Sequence, residues 1–374
     1  VGTFFGESNA ISLTKALALS ELFKAFINIR VVYFQKELDF KKQFLYQILG
    51  TLADLSVSIP VAIILKSPWA LVFGLIAGNL VRCVVSYAID PYKLKLQLNK
   101  SQSREMWSFG KWTLGSSSLL FLITQGDDIF VGKLLGATML GFYQMAYRIS
   151  NLPATEITHV ISQVAFPAYS KLQSRIPQLK YAYYKNLAFV SGISFPIAGS
   201  IFILSPLFVA VILNPSWIPI IILMQILVVL GLIRSIAATM GPVFNALGRP
   251  DINLKIPFIK MIFLFYLIYP LTKLWGLPGV ALACVLPSFA SQSYSLVKLS
   301  KLANISYKKY FLILCPPLIS TIGMCVLLFI MQAILPRNML VLLLLMISGS
   351  VIYLILIKIY CYFSKSHNIF EDLG

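Results

Sequence analysis

YFLILCPPLISTIGMCVLLFIMQAI (residues 310–334) and NMLVLLLLMISGSVIYLILIKIYCY (338–362) stand three residues apart, and between them they hold one charged side chain, Lys358. A bilayer core about 30 Å thick takes about 20 apolar residues per helix, so each run is long enough to cross it. Outward from this pair the chain repeats the pattern at 10–34, 43–65, 68–89, 108–132, 138–168, 185–213, 217–246, 256–273 and 276–297. Eleven transmembrane helices are predicted, which makes the chain an all-α integral membrane protein. The composition agrees: 58% of the 374 residues are hydrophobic and 12% charged, against roughly 45–50% and 25% in soluble proteins. Mean hydropathy is +0.83.

A net charge of +18 would suggest nucleic acid in a soluble chain. Here the loops absorb most of it, and no nucleic-acid partner is expected. Connections alternate between very short and longer, and the longer set with the tail carries twenty Lys and Arg, among them Lys93, Lys95, Lys171, Arg175, Lys255, Lys260, Lys301 and Lys365. The short set carries four. By the positive-inside rule the cation-rich loops and the C-terminus are cytoplasmic. Seven cations remain inside the runs: Lys15, Lys24, Arg30, Arg82, Arg148, Arg234 and Lys358. Arg30, Arg82 and Lys358 lie near cytoplasmic ends and are expected to snorkel.

A weak internal repeat points to two lobes. Phe34 aligns with Phe244, Asp39 with Asp251, and Ala70-Leu71 with Ala281-Leu282, at offsets of 210 to 212. This register divides the chain into the rest of a first lobe (1–100), a second lobe of six spans (101–300) and two additional spans with a tail (301–374). It also predicts about a hundred residues, forming three spans, before Val1 and a fourteen-span intact protein.

The run 138–168 carries the densest chemistry. On a helical wheel Gln144, Arg148, Asn151, Thr155, Glu156, His159, Ser162 and Gln163 share one arc of about 140°, opposite Ile157, Val160, Ile161 and Val164. An Arg at the bilayer centre costs about 2.5–3.5 kcal/mol on insertion scales, so a polar interior is expected to face it. Asp127 or Asp128, on the preceding span, could neutralise Arg148, and adjacent residues diverge by about 100° on a helix, so only one can. Glu156 and His159 could couple protonation to such a pair. In 217–246, Arg234 is flanked by Gly231, Ala238, Gly241 and Asn245, which leaves room for a ligand or for close helix packing. In 10–34, Glu21, Lys24, Asn28 and Gln35 share a face. Arg148, Arg234, Lys24 and Asn245 are the substrate-binding candidates; Asp127, Asp128, Glu156 and His159 the ion-pair or coupling candidates.

Catalysis finds no support: His159 and His367 are the only histidines, and HExxH, GxSxG, Walker and Rossmann signatures are absent. Cys83, Cys284, Cys315, Cys325 and Cys361 show no metal-ligand spacing. No catalytic residue, metal or cofactor is expected.

FQKELDFKK (34–42), SPWALVFG (67–74) and the long stretch from FGKWTLGSSS through FPAYSKLQ (109–173) resemble the Wzx-like polysaccharide and lipopolysaccharide O-unit flippases, of the superfamily shared with the lipid II flippase and MATE exporters. The resemblance implies a multi-pass carrier of the bacterial inner membrane. It would flip undecaprenyl-diphosphate-linked oligosaccharide units to the outer leaflet by alternating access, with membrane lipids, a polysaccharide polymerase and chain-length machinery as partners. It places Arg148 where relatives set a cavity cation for the anionic substrate. A MATE-like exporter of organic cations remains the rival and predicts carboxylates in excess on the cavity wall. A membrane-bound glycan polymerase or ligase would need a long outer loop, and the outer connections are short.

Overall fold

The computed structural model describes residues 6, 9–36, 39–91, 100–152, 154–155, 165–166 and 168–363. Among them thirteen α-helices follow in order: α1 Asn9–Ala25, α2 Val31–Lys36, α3 Phe40–Leu65, α4 Trp69–Ile89, α5 Lys100–Leu134, α6 Ala137–Ser150, α7 Ile176–Ile212, α8 Ile220–Ala238, α9 Gly241–Ala246, α10 Pro250–Trp275, α11 Leu277–Ala303, α12 Tyr307–Ile334 and α13 Met339–Phe363. Eight segments are long and apolar enough to cross a membrane: α3, α4, α7, the α8–α9 pair, α10, α11, α12 and α13. The fold is all-α and multi-pass.

Eight is fewer than the eleven predicted, and each of the three differences has a local cause. Run 10–34 breaks between α1 and α2, where Asn28 Oδ1 accepts from the Arg30 amide and Asn28 Nδ2 donates to the Asp90 carbonyl at 2.6 Å. Such side-chain bonds compete with the helical ladder. Run 108–132 is continuous helix within α5, but its polar residues Gln125, Asp127 and Asp128 keep it out of the apolar set. Run 138–168 is interrupted after Ser150: Asn151 caps α6, its Nδ2 donating to the Tyr147 carbonyl at 2.9 Å. Two residues on, Pro153 has no N–H to offer the ladder. The described part of the polar arc, 144–155, is interrupted at Asn151, and its remaining residues, 156–163, fall outside the described residues.

The chain divides into two compact units, Val1–Ser116 and Ser117–Gly374. In the first, α3 and α4 form a tight hairpin. Gly74 and Gly78 are a GxxxG pair, and a Cβ at Gly78 would stand 3.0 Å from the Gly50 carbonyl oxygen. Lipid gives helices no hydrophobic drive to associate, so such small-residue seams and interhelical hydrogen bonds hold them. Arg82 reaches across this hairpin: Nη1 donates to Asn79 Oδ1 (3.2 Å) and Nη2 to Thr51 Oγ1 (3.3 Å). Asn79 Nδ2 in turn donates to Ser20 Oγ at 2.8 Å, tying α1 to α4.

In the second unit α8 and α11 are interior helices, each with 56% of its apolar window buried, whereas α3 of the first unit has 6%. One apolar cluster gathers Val131, Tyr143, Leu223, Leu227 and Val280 around α5, α6, α8 and α11. A second joins Tyr183, Phe244, Leu299 and Tyr310. A third packs α7 against α12 and α13 through Leu207, Met324, Leu328 and Leu345.

Candidate functional site

α5 and α6 are antiparallel, joined through Leu135 and Gly136, whose φ of 87° suits glycine. Two helices rising equally from that turn bring 127 level with 144, 128 with 143 and 148 with 123, and pairs one residue off this count remain in reach. The hydrogen bonds fall within one residue of this register. Tyr143 OH donates to Asp127 Oδ2 at 2.7 Å, and Gln144 Nε2 donates to Asp128 Oδ2 at 3.3 Å. Cys284 Sγ, from α11, stands 3.5 Å from the same Asp127 oxygen and 3.3 Å from the Tyr143 hydroxyl. The two aspartates diverge as a 100° step requires. Neither makes an ion pair with Arg148, so that expected neutralisation is corrected: the short turn sets the carboxylates more than one turn out of register with it.

Arg234, on α8, donates through Nη1 to the Tyr147 hydroxyl and to Asn151 Oδ1 (3.1 Å). Its guanidinium lies 5.8 Å from the Tyr147 ring centroid. The small residues around it divide between the two roles foreseen for them. A Cβ at Gly231 would collide with the Ser150 carbonyl oxygen, and Ser150 Oγ donates to the Met224 carbonyl at 3.0 Å, so Gly231 admits the α6 backbone. Ala238 and Gly241 instead line open space.

That space comprises two adjoining cavities of the second unit. One, of about 670 Å³, is walled by Gln125, Asp128, Gln144, Arg148 and Trp217. The other, of about 370 Å³, is walled on α10 by Asn253 and Lys260 and on α11 by Cys284, Ser288, Ser291, Gln292 and Ser295. Thr124, Asp127, Tyr147 and Arg234 line both. Arg148 and Lys260 form no ion pair with a described residue.

Lys260 is the wall residue that counting loop charge missed. Sequence patterning starts this span at 256 and assigns Lys260 to the cytoplasmic cations. The helix starts at Pro250, whose fixed φ and missing N–H suit the first helical turn. Lys260 is thus about 15 Å along it. The signal was present: Asn253, Ile256, Pro257, Lys260 and Leu264 recur at spacings of three and four, and all five line the smaller chamber.

The remaining candidates lie elsewhere. Lys24 is exposed and pairs with Glu21 at 3.4 Å, and the break after α1 separates both from Asn28. Asn245 accepts from Asn253 Nδ2 at 2.8 Å and is not a wall residue of either cavity. Glu156 and His159 lie outside the described residues. Among the described residues no three His, Cys, Asp or Glu side chains gather as a metal cluster.

Long apolar helices around open cavities lined by cations and carboxylates define a multi-pass membrane protein with polar groups set among its helices. Residues 1–222 match the family described as polysaccharide biosynthesis protein, and the chain belongs to that family. It is 27% identical over 286 residues to the lipopolysaccharide biosynthesis protein WzxC of Escherichia coli K12, covering 76% of this chain and 58% of the relative. A membrane protein of the cps region of Klebsiella pneumoniae is 25% identical over 66% of this chain and 52% of its own length. The teichuronic acid biosynthesis protein TuaB of Bacillus subtilis is 26% identical over 40% of this chain and 31% of its own. The chain spans between about a third and three-fifths of these relatives. Its fold is shared with the lipid II flippase MurJ in an inward-closed conformation, at a TM-score of 0.74 and 15% identity, covering 94% of this chain and 74% of that one.

Proposed function

We propose that the protein carries undecaprenyl-diphosphate-linked oligosaccharide repeat units from the cytoplasmic to the outer leaflet of a bacterial inner membrane, by alternating access, for O-antigen, capsule or exopolysaccharide synthesis. The observation that carries this is the charge of the walls: Arg148, Arg234 and Lys260 against Asp127 and Asp128. A cation exporter needs the opposite balance. An arginine fork offers two parallel donors to phosphate oxygens, and charge-assisted bonds of this kind are about twice as strong as neutral ones. The names of the relatives, which concern lipopolysaccharide biosynthesis, teichuronic acid biosynthesis and a cps region, support the same substrate class.

Several finer features belong to this proposal. The intact architecture is two-lobed with fourteen spans, on the strength of the 210–212 repeat. The chain then divides at 1–100, 101–300 and 301–374, and the C-terminus is cytoplasmic by loop charge. Polymerase and chain-length proteins receive the flipped unit. Glu156 and His159 couple protonation to transport.

The test is genetic. In a strain lacking the gene, Arg148→Ala and Arg234→Ala should abolish surface polysaccharide with protein levels kept, and Arg→Lys should restore it in part. Normal polymer from both alanine variants would overturn the proposal.

A further inference from the structure

The smaller chamber has two unlike walls. One, built from α8, α9 and α10, sets apolar residues such as Phe244 and Leu264 beside the cations Arg234 and Lys260. The other is the face of α11 that carries Ser288, Ser291 and Ser295, each more than nine-tenths buried. Every one of these hydroxyls spends its proton inside its own helix: Ser288 donates to the Cys284 carbonyl (2.8 Å), Ser291 to that of Ser288 (3.0 Å) and Ser295 to that of Ser291 (2.8 Å). What remains on each oxygen is acceptor capacity.

Gln292 extends the same wall. Its Nε2 donates to Tyr310 OH at 3.1 Å, while its buried Oε1 has no partner among the described residues. A buried acceptor left unpaired costs about 1–3 kcal/mol, which a ligand donor would recover. The wall therefore asks for a ligand that brings several O–H donors and an apolar face, with a negative charge at the end held by Arg234 and Lys260. A sugar ring joined to a phosphate has that chemistry. At about 370 Å³ the chamber lies at the low end of small-molecule pockets, so it suits a ring or two and not a whole repeat unit.

We infer that this chamber is the subsite for the first sugar of the lipid-linked unit, its hydroxyls donating to the serine and glutamine oxygens of α11 and its phosphates meeting Arg234 and Lys260. The inference rests on the proposed flippase function and adds to it the place of the sugar. Lys260 then acts on every diphosphate ligand, whereas Ser291 and Gln292 act on glycosylated ones only.

The experiment measures binding of two probes to purified protein in lipid nanodiscs: undecaprenyl diphosphate, and the same lipid bearing one hexose. Lys260→Met should weaken both about tenfold, the worth of one charge-assisted bond. Gln292→Leu and Ser291→Ala should each weaken only the glycosylated probe, by about fivefold, leaving binding of the bare lipid unchanged. Equal losses for both probes in those two variants, or no loss for either, would overturn the sugar subsite while leaving the flippase proposal standing. A wild-type protein that binds neither probe overturns the flippase proposal itself.

Discussion

Arg82 and Arg234 sit on similar sequence and meet opposite fates. Each follows a glycine on its own helix face, Gly78 four residues before the one and Gly231 three before the other. Both glycines admit another helix: Gly78 approaches the Gly50 carbonyl, Gly231 that of Ser150. Arg82 stays inside its seam, spanning Asn79 and Thr51 across the α3–α4 hairpin. Arg234 holds Tyr147 and Asn151 through Nη1 and faces the two cavities, where the following two turns offer Ala237, Ala238 and Gly241 to the smaller one. The lesson is that a small residue beside a membrane arginine does not say whether the space is filled. The third helix decides it.

The contrast can be broken most forcefully at the glycines. Gly78→Leu and Gly231→Leu should both cost folded protein, since overpacking a tight contact destabilises by about 1–3 kcal/mol or more. Gly241→Ala should not, because its Cβ would meet Asn253 at an ordinary 3.7 Å. Thermal unfolding in detergent reads all three, and a stable Gly231→Leu would remove the close α6–α8 packing from the account.

A smaller effect separates the arginines themselves. Arg82→Met should lower stability by about 1–2 kcal/mol, the scale of one or two interhelical hydrogen bonds, with transport per folded molecule intact. Arg234→Met gives up its bonds to Tyr147 and Asn151 and should cost a similar amount of stability, but it should also lose transport per folded molecule. If Arg82→Met stops transport at normal stability, the first unit holds a site of its own.

The smallest change is expected at Lys24. Its pair with Glu21 is exposed, with side chains 61% and 68% accessible, and such pairs contribute about 0–1 kcal/mol. Lys24→Ala should move stability by no more than about 0.5 kcal/mol and leave surface polysaccharide unchanged. A loss of polymer would return Lys24 to the binding residues.

Much of the site was legible before the fold. Arg148, Arg234, Asp127 and Asp128 stand out because each is an ionised group inside an apolar run, and all four line the cavities. The divergence of the two aspartates was foreseen from the 100° step; their partners were not, although counting outward from Leu135 and Gly136 points to Tyr143 and Gln144. Lys260 was misplaced because hydropathy marks where a helix becomes apolar, and α10 begins two turns earlier at Pro250. The chamber's serine wall left no trace in charge or hydropathy, since Ser288, Ser291 and Ser295 are neutral and small.

By itself the sequence determined that this is an all-helical membrane protein with ionised groups in its interior. Length, apolarity and loop charge are local properties, and bilayer thickness turns them directly into spans. Only the tertiary structure decided which of those groups share a chamber. Each residue turns a helix by 100° and advances it 1.5 Å, so a start displaced by six residues, as at α10, or a break like that after Ser150, moves a side chain from one wall to another. Arg82 went into a glycine seam and Arg234 to a chamber because their neighbouring helices come from distant parts of the chain. Nothing local to either arginine specifies what packs against it.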